Sequence, residues 1–222
     1  MTVFRDRADA GRALAEALAE RGFEDPVILA LPRGGVPVAI EVVRRLNAPM
    51  DLVMVRKIGV PGQPELAAAA VVDGDTPHVV FNENILAQAG LSRDDIDRLA
   101  ETELEEIRRR RGLYLGDRPQ VPVEGRTAIV VDDGIATGAT MRVSLKAVRA
   151  RAPARLVLAV PVAPRDTVEA LRPEVDDIVC LRTPSLFGGV GRHYAAFPQT
   201  TDDEVIALLD EARGPAGSEE AS

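Results

Sequence analysis

Short aliphatic runs recur along the chain, separated by stretches whose apolar residues stand three and four apart. Val27 to Leu31, Asp51 to Val55, Arg126 to Val131, Arg155 to Val160 and Asp176 to Leu181 are dominated by Val, Ile, Leu and Ala. Runs of that kind without polar alternation predict strands covered on both faces. Helical spacing occupies residues 5–21, where Leu14 and Leu18 lie one turn apart and Gly22 supplies a stop. It returns over Val36 to Leu46, Ser92 to Tyr114, Thr140 to Ala150, Asp166 to Leu171 and Asp202 to Ala212. The Ser92 helix opens on a Ser-Arg-Asp-Asp capping pattern. Residues 67–72 and 78–81 can pair as a hairpin around Asp73-Gly74-Asp75. Strand alternating with helix makes an α/β fold with a mainly parallel sheet flanked by helices.

Two stretches break the pattern. Arg56 to Glu65 reads as a loop, and its second half, Val60 to Glu65, carries two prolines and a glycine and is neither helix nor strand. Residues 183–199, TPSLFGGVGRHYAAFPQ, hold most of the late aromatics and read as an irregular hood or flap beside a site. The expected organisation is one domain over 1–213, with a helical insertion at 82–118 and a disordered polar tail at 214–222.

Composition narrows the function without naming it. Hydrophobic residues make up 46% and charged ones 28%, the balance of a globular chain with one packed core. A net charge of −8 argues against a general nucleic-acid binder, although local cations can still hold a small anion. Cys180 is the one cysteine, so no intrachain disulfide forms and a reducing compartment fits. The charged N-terminus lacks the apolar core of a signal peptide, and no window approaches the ~18 apolar residues of a membrane span. A cytoplasmic protein without membrane or nucleic-acid partners is expected. His78 and His193 are isolated and show no metal spacing. Arg108 to Arg111, near the end of the long helix, reads first as a solvated face, then as a subunit contact or a cluster with the acids at 101–106.

The chemistry concentrates in Ala128 to Met141, AIVVDDGIATGATM. Open α/β sheets bind ligands at the carboxyl ends of their strands, where Asp132 and Asp133 stand. Adjacent residues of a continuing strand face opposite sides, so both acids address one ligand only if the chain turns, as Gly134 permits. Ala136, Thr137, Gly138, Ala139 and Thr140 then offer small side chains, two hydroxyls and backbone N–H groups just before a helix, a setting that suits a phosphate. Paired carboxylates beside a phosphate cradle suggest a ribose 5-phosphate.

This stretch resembles the signature of type I phosphoribosyltransferases. The resemblance implies that Asp132 and Asp133 hold the ribose hydroxyls and that 136–140 grip the 5-phosphate of phosphoribosyl pyrophosphate (PRPP). Leu31-Pro-Arg-Gly-Gly35 resembles the family's pyrophosphate loop, with Arg33 as cation and Gly34 and Gly35 as close-approaching amides. Arg56 and Lys57 resemble the basic pair opening the mobile catalytic loop of adenine-type members. The loop ending at Glu65 would be a lid that limits hydrolysis of PRPP. Catalytic roles then fall to Asp133, Glu65 and Lys57, with Glu65 or Asp133 moving a proton on the incoming base. Magnesium would bind mainly through PRPP oxygens and water, with no direct protein ligand set. Family habit implies a homodimer.

Hypoxanthine-guanine members carry an aspartate where this chain has Ala136, so the wording is closer to adenine-type and uncharacterised members. Phe187 or Tyr194 could stack on a base or simply fill the irregular segment. Gly188-Gly-Val-Gly191 lacks the following βαβ unit of a dinucleotide site. The expected activity is magnesium-dependent phosphoribosyl transfer from PRPP to a nucleobase or other amine. The alternative is a non-catalytic PRPP- or nucleotide-sensing regulator of the same fold.

Overall fold

A computed structural model describes residues 3–72 and 78–212, with the side chains at 64–67 and 78 excepted. The predicted aliphatic runs form a five-stranded sheet of β1 (Pro26–Ala30), β2 (Met50–Leu52), β6 (Thr127–Val131), β7 (Arg155–Val162) and β8 (Asp177–Arg182), in the order β2-β1-β6-β7-β8. All neighbouring pairs are parallel. Their residues alternate between two cores, which is why no polar position interrupts the runs. Ile28, Ala30, Ile129 and Val131 face α1 (Arg7–Ala19), α2 (Gly35–Leu46) and α7 (Asp202–Glu211). Val27, Leu29, Ala128 and Val130 face α5 (Ala139–Ala150) and α6 (Arg165–Leu171).

A second, antiparallel sheet was only half legible. Strands β3 (Val55–Val60), β4 (Gln63–Val72) and β5 (His78–Phe81) pair in the order β3-β4-β5. The β4–β5 pairing is the expected hairpin, whose turn at 73–77 lies outside the described residues. The β3–β4 hairpin corrects the loop expected at 56–65. Pro61 and Gly62 are a two-residue turn, with Gly62 at φ +81°, as a type II turn requires after proline. The register slips between Ile58 and Val60, and such an irregularity accommodates Pro64 within the strand. The run at 51–55 likewise ends in the main sheet at Leu52, and Val55 already belongs to the second sheet.

Between the sheets the chain forms α3 (Glu83–Ala89) and α4 (Arg93–Leu115), whose capping box joins Ser92 and Asp95. Helix α4 packs on β3, β4 and α7. Its arginines separate: Arg109 and Arg110 bind Glu106, whereas Arg111 reaches the buried Asp51 at 3.2 Å. Asp51 is 2% exposed and also accepts from the Val121 N–H, so it ties the helix end and the following segment to the sheet edge. Residues 183–199 are largely irregular, with a 3-10 turn at Val190–His193. No described helix is long and apolar enough to cross a membrane. The polar tail from 214 lies outside the described residues.

Candidate active site

Strand order reverses between β1 and β6: the chain leaves β1 for β2 on one side, and β6 lies on the other. Crevices of this kind are where open α/β sheets bind ligands. The loop after β1, carrying Pro32, Arg33 and Gly34, meets the loop after β6, carrying Asp132 and Asp133. The approach leaves no room for side chains. A Cβ on Gly34 would lie 2.2 Å from Asp133 Oδ2, and one on Gly35 would lie 2.8 Å from the Val131 carbonyl oxygen. Both expected loops are thus brought to one place.

The two acids are half-buried and differently anchored. Asp132 Oδ1 accepts the Asp133 N–H at 2.8 Å, and Asp133 Oδ2 accepts Arg7 Nε at 2.8 Å. Among the described residues, no side chain or backbone group donates to the second oxygen of either carboxylate beyond these two bonds. Burial pushes the Asp132 carboxyl well above the ordinary carboxylate range, and the neighbouring Asp133 adds to the shift. Burial also raises Asp133, against the opposing pull of Arg7.

Arg7 was not among the sequence candidates. It is 9% exposed, donates from Nη1 to the Pro198 carbonyl at 2.6 Å, and lies 3.8 Å over the Phe197 ring. On α1 it looks like one arginine among several, and no local pattern marks a residue whose partner is 126 positions away.

The cradle at 136–140 is braced from outside. Gly138 has φ +77° and caps α5, and a Cβ there would lie 2.9 Å from Thr167 Cγ2. Thr167 Oγ1 donates to the Ala136 carbonyl at 2.9 Å. No side chain caps the α5 N-terminus, and Ala136, Thr137, Ala139 and Thr140 are exposed.

The predicted cations divide. Arg33 Nη1 is 3.5 Å from Asp202 Oδ1, an electrostatic contact at the limit of hydrogen bonding, and Asp202 also accepts the Tyr114 hydroxyl at 2.5 Å. Burial, then Asp202, pushes that hydroxyl up to about 12. Arg56 and Lys57 do not open a loop. They lie within β3, where strand alternation turns them apart. Arg56 binds Glu103 of α4 at 2.6 Å, and exposed Lys57 faces α5. Glu65 falls on β4, and its side chain lies outside the described residues.

The aromatics of 183–199 have structural partners. Tyr194 is 6% exposed, lies 5.7 Å from Phe4 and 4.9 Å from Phe197 between ring centroids, and donates its hydroxyl to the Asp133 carbonyl. It supports the loop of Asp132 and Asp133 and presents no open face to a base. Half-buried Phe187 stacks on His193 at 5.2 Å.

Residues 5–191 match the family model described as the phosphoribosyl transferase domain. The chain belongs to this family. Its parallel sheet flanked by helices is the type I phosphoribosyltransferase fold, with the antiparallel β3-β4-β5 sheet as hood, in place of the irregular 183–199 segment expected to serve as one. A Mycobacterium tuberculosis (strain ATCC 25618 / H37Rv) protein provisionally named phosphoribosyl transferase Rv0571c is 46% identical over 212 residues, covering 96% of this chain and 47% of that protein. The chain therefore spans about half the length of the curated relatives it matches. The crystal structure of TT1426 from Thermus thermophilus superposes with a TM-score of 0.83 at 44% identity, covering 94% of this chain and 98% of that one.

Proposed function

We propose that the chain transfers the phosphoribosyl group of PRPP to a nitrogen nucleophile, with a nucleobase as the leading acceptor class, and releases pyrophosphate. The supporting observation is the meeting of the two loops at the switch point, where Gly34 abuts Asp133 too closely for any Cβ. In this reading the unengaged oxygens of Asp132 and Asp133 accept the two ribose hydroxyls. Residues 136–140 take the 5-phosphate, and Arg33 with the Gly34 amide takes the pyrophosphate; the Gly35 amide, expected to share that role, instead donates to the Leu31 carbonyl at 3.0 Å. The nucleophile forms its bond to C1′ as the bond to pyrophosphate breaks, and its proton passes to Asp133 or Glu65. The hood sheet covers the reacting centre and limits attack by water. Among the described residues no group of three or more His, Cys, Asp or Glu is placed to hold a metal. Magnesium would be held mainly through PRPP oxygens and water, beside the Asp132 and Asp133 carboxylates, and would neutralise the leaving pyrophosphate. A cytoplasmic homodimer completes the proposal.

One observation favours the competing regulator. Arg56 is bound to Glu103 and Arg33 leans toward Asp202, which leaves fewer cations for pyrophosphate than a transferase would use. Incubating the protein with PRPP and magnesium across a panel of nucleobases and amines decides between them. Acceptor-dependent pyrophosphate release is expected. Tight PRPP binding with no release from any acceptor would establish the sensor instead.

A further inference from the structure

The chain has two lysines, Lys57 and Lys146, among 27 basic side chains, all the rest being arginine. One is on a strand of the hood and the other on α5, far apart in sequence, yet both line the same cavity of about 470 Å³ between the hood sheet and α5. Val55, Ala70, Val80 and Val143 give the cavity apolar walls, and Thr137 and Thr140 of the phosphate cradle stand at its edge. Its other charges are already neutralised. Arg142 binds Glu174 at 2.9 Å and donates to the Ala170 carbonyl, and Glu83 binds Arg93 at 2.5 Å. Among the described residues neither lysine has an ion pair, and both are exposed.

Two like charges converging on one partly apolar space repel each other unless an anion lies between them, and the low-dielectric walls strengthen both effects. The residue type is informative as well. A guanidinium is a planar fork suited to a carboxylate or to stacking, whereas an ammonium is a compact charge on a flexible stem that can approach a tetrahedral phosphate from any side. In a chain that uses arginine almost everywhere else, lysine occurs only at this cavity.

We propose that Lys57 and Lys146 form a phosphate clamp reaching from opposite walls of the cavity onto the phosphate monoester end of the donor, beside Thr137 and Thr140. The proposal rests on the PRPP reading and alters it in two respects. Lys57 moves from the pyrophosphate grip to the 5-phosphate end, and Lys146 joins the site. The clamp makes the 5-phosphate, in addition to the pyrophosphate, a condition of tight binding.

The test uses the whole chain and ribose 5-phosphate, which has the phosphate and the diol but no pyrophosphate. The two lysines and the N-terminus are the chain's only amines, so amine acylation followed by mass spectrometry reads each site separately. Ribose 5-phosphate is expected to slow acylation of both lysines, and pyrophosphate alone to leave them reactive. By calorimetry, Lys57→Met and Lys146→Met should each weaken ribose 5-phosphate about tenfold or more, the usual scale for a charged hydrogen bond, while pyrophosphate affinity holds. If the wild-type chain binds ribose 5-phosphate and turns over PRPP while both lysines stay reactive, the clamp is wrong and the transferase reading survives. Protection by pyrophosphate alone returns Lys57 to the leaving-group side and overturns the clamp. Failure of the wild-type chain to bind either ribose 5-phosphate or PRPP removes both.

Discussion

Arg7 divides one guanidinium among the Asp133 carboxylate, the Pro198 carbonyl and the face of Phe197, and its side chain and that of Asp133 are 10% and 13% exposed. Removing one partner of such a pair leaves a charge with little water to replace it, at about 3–5 kcal/mol. Arg7→Ala should therefore lower stability in denaturant unfolding by about 3 kcal/mol, and the double variant Arg7→Ala/Asp133→Asn should lose markedly less than the sum of the singles. Strict additivity would show that the pair is not coupled. Asp132 makes the opposite prediction. Its carboxyl is raised by burial and by Asp133, so the folded chain keeps a proton that the unfolded chain has already released. Ionised Asp132 thus costs stability, fully above its folded pKa and not at all below the unfolded value of about 4. Asp132→Asn retains an acceptor for the Asp133 N–H and should raise Tm relative to the parent by a margin that grows from pH 4 upward and then levels off. Its PRPP affinity should fall. A Tm offset independent of pH would refute the electrostatic account.

At the scale of elements, the site depends on how closely two loops meet. Gly34→Ala would drive a methyl into the Asp133 carboxylate, with nothing flexible to yield except the acid itself. Displacing a positioned group by about 1 Å can cost a hundredfold, so kcat/KM for PRPP should drop by about that factor, and because the displaced oxygen is the one that accepts Arg7 Nε, Tm should fall as well. Wild-type kinetics in this variant would mean that Asp133 does not hold the donor. The elements bearing these loops were legible because strands buried on both faces have no polar position to disguise them. The acids and the cradle were legible because they interrupt such a strand and a helix in consecutive residues. The β3–β4 hairpin was not, since proline and glycine at 61 and 62 signal a break whether the chain wanders or turns back tightly. Its outcome mattered: pairing put Arg56 on α4 and Lys57 on the cavity, a split invisible while both counted as loop cations. Lys146 carries no local signal on its helix. Only the chain-wide scarcity of lysine points to it, and that becomes meaningful once folding sets it opposite Lys57.

Across the whole molecule, the first described residues are stitched to the segment at 193–196, which in turn contacts the loop of Asp132 and Asp133. The Phe4 N–H donates to the His193 carbonyl, Ala195 N–H to the Phe4 carbonyl and Ala196 N–H to the Arg5 carbonyl, at 2.9, 2.7 and 2.9 Å. The Phe4 ring is 4% exposed, lies beside Tyr194 and carries Arg182 at 3.7 Å over its face. Tyr194 in turn donates to the Asp133 carbonyl, so a chain of contacts runs from the first described residues to the loop that holds the acids. Phe4→Ala should cost about 3 kcal/mol in unfolding, the scale for emptying a buried aromatic site. If the ring were merely core, that loss would be the whole effect. If it braces the site, two further changes accompany it: faster hydrogen exchange at the Ala195 and Ala196 amides under native conditions, and weaker PRPP binding at temperatures where the variant is fully folded. An unchanged PRPP affinity in the folded variant would detach the stitched segments from the site. A loss there would mean that residues 3–7, outside every recognisable motif, belong to the donor site as much as the acids they support.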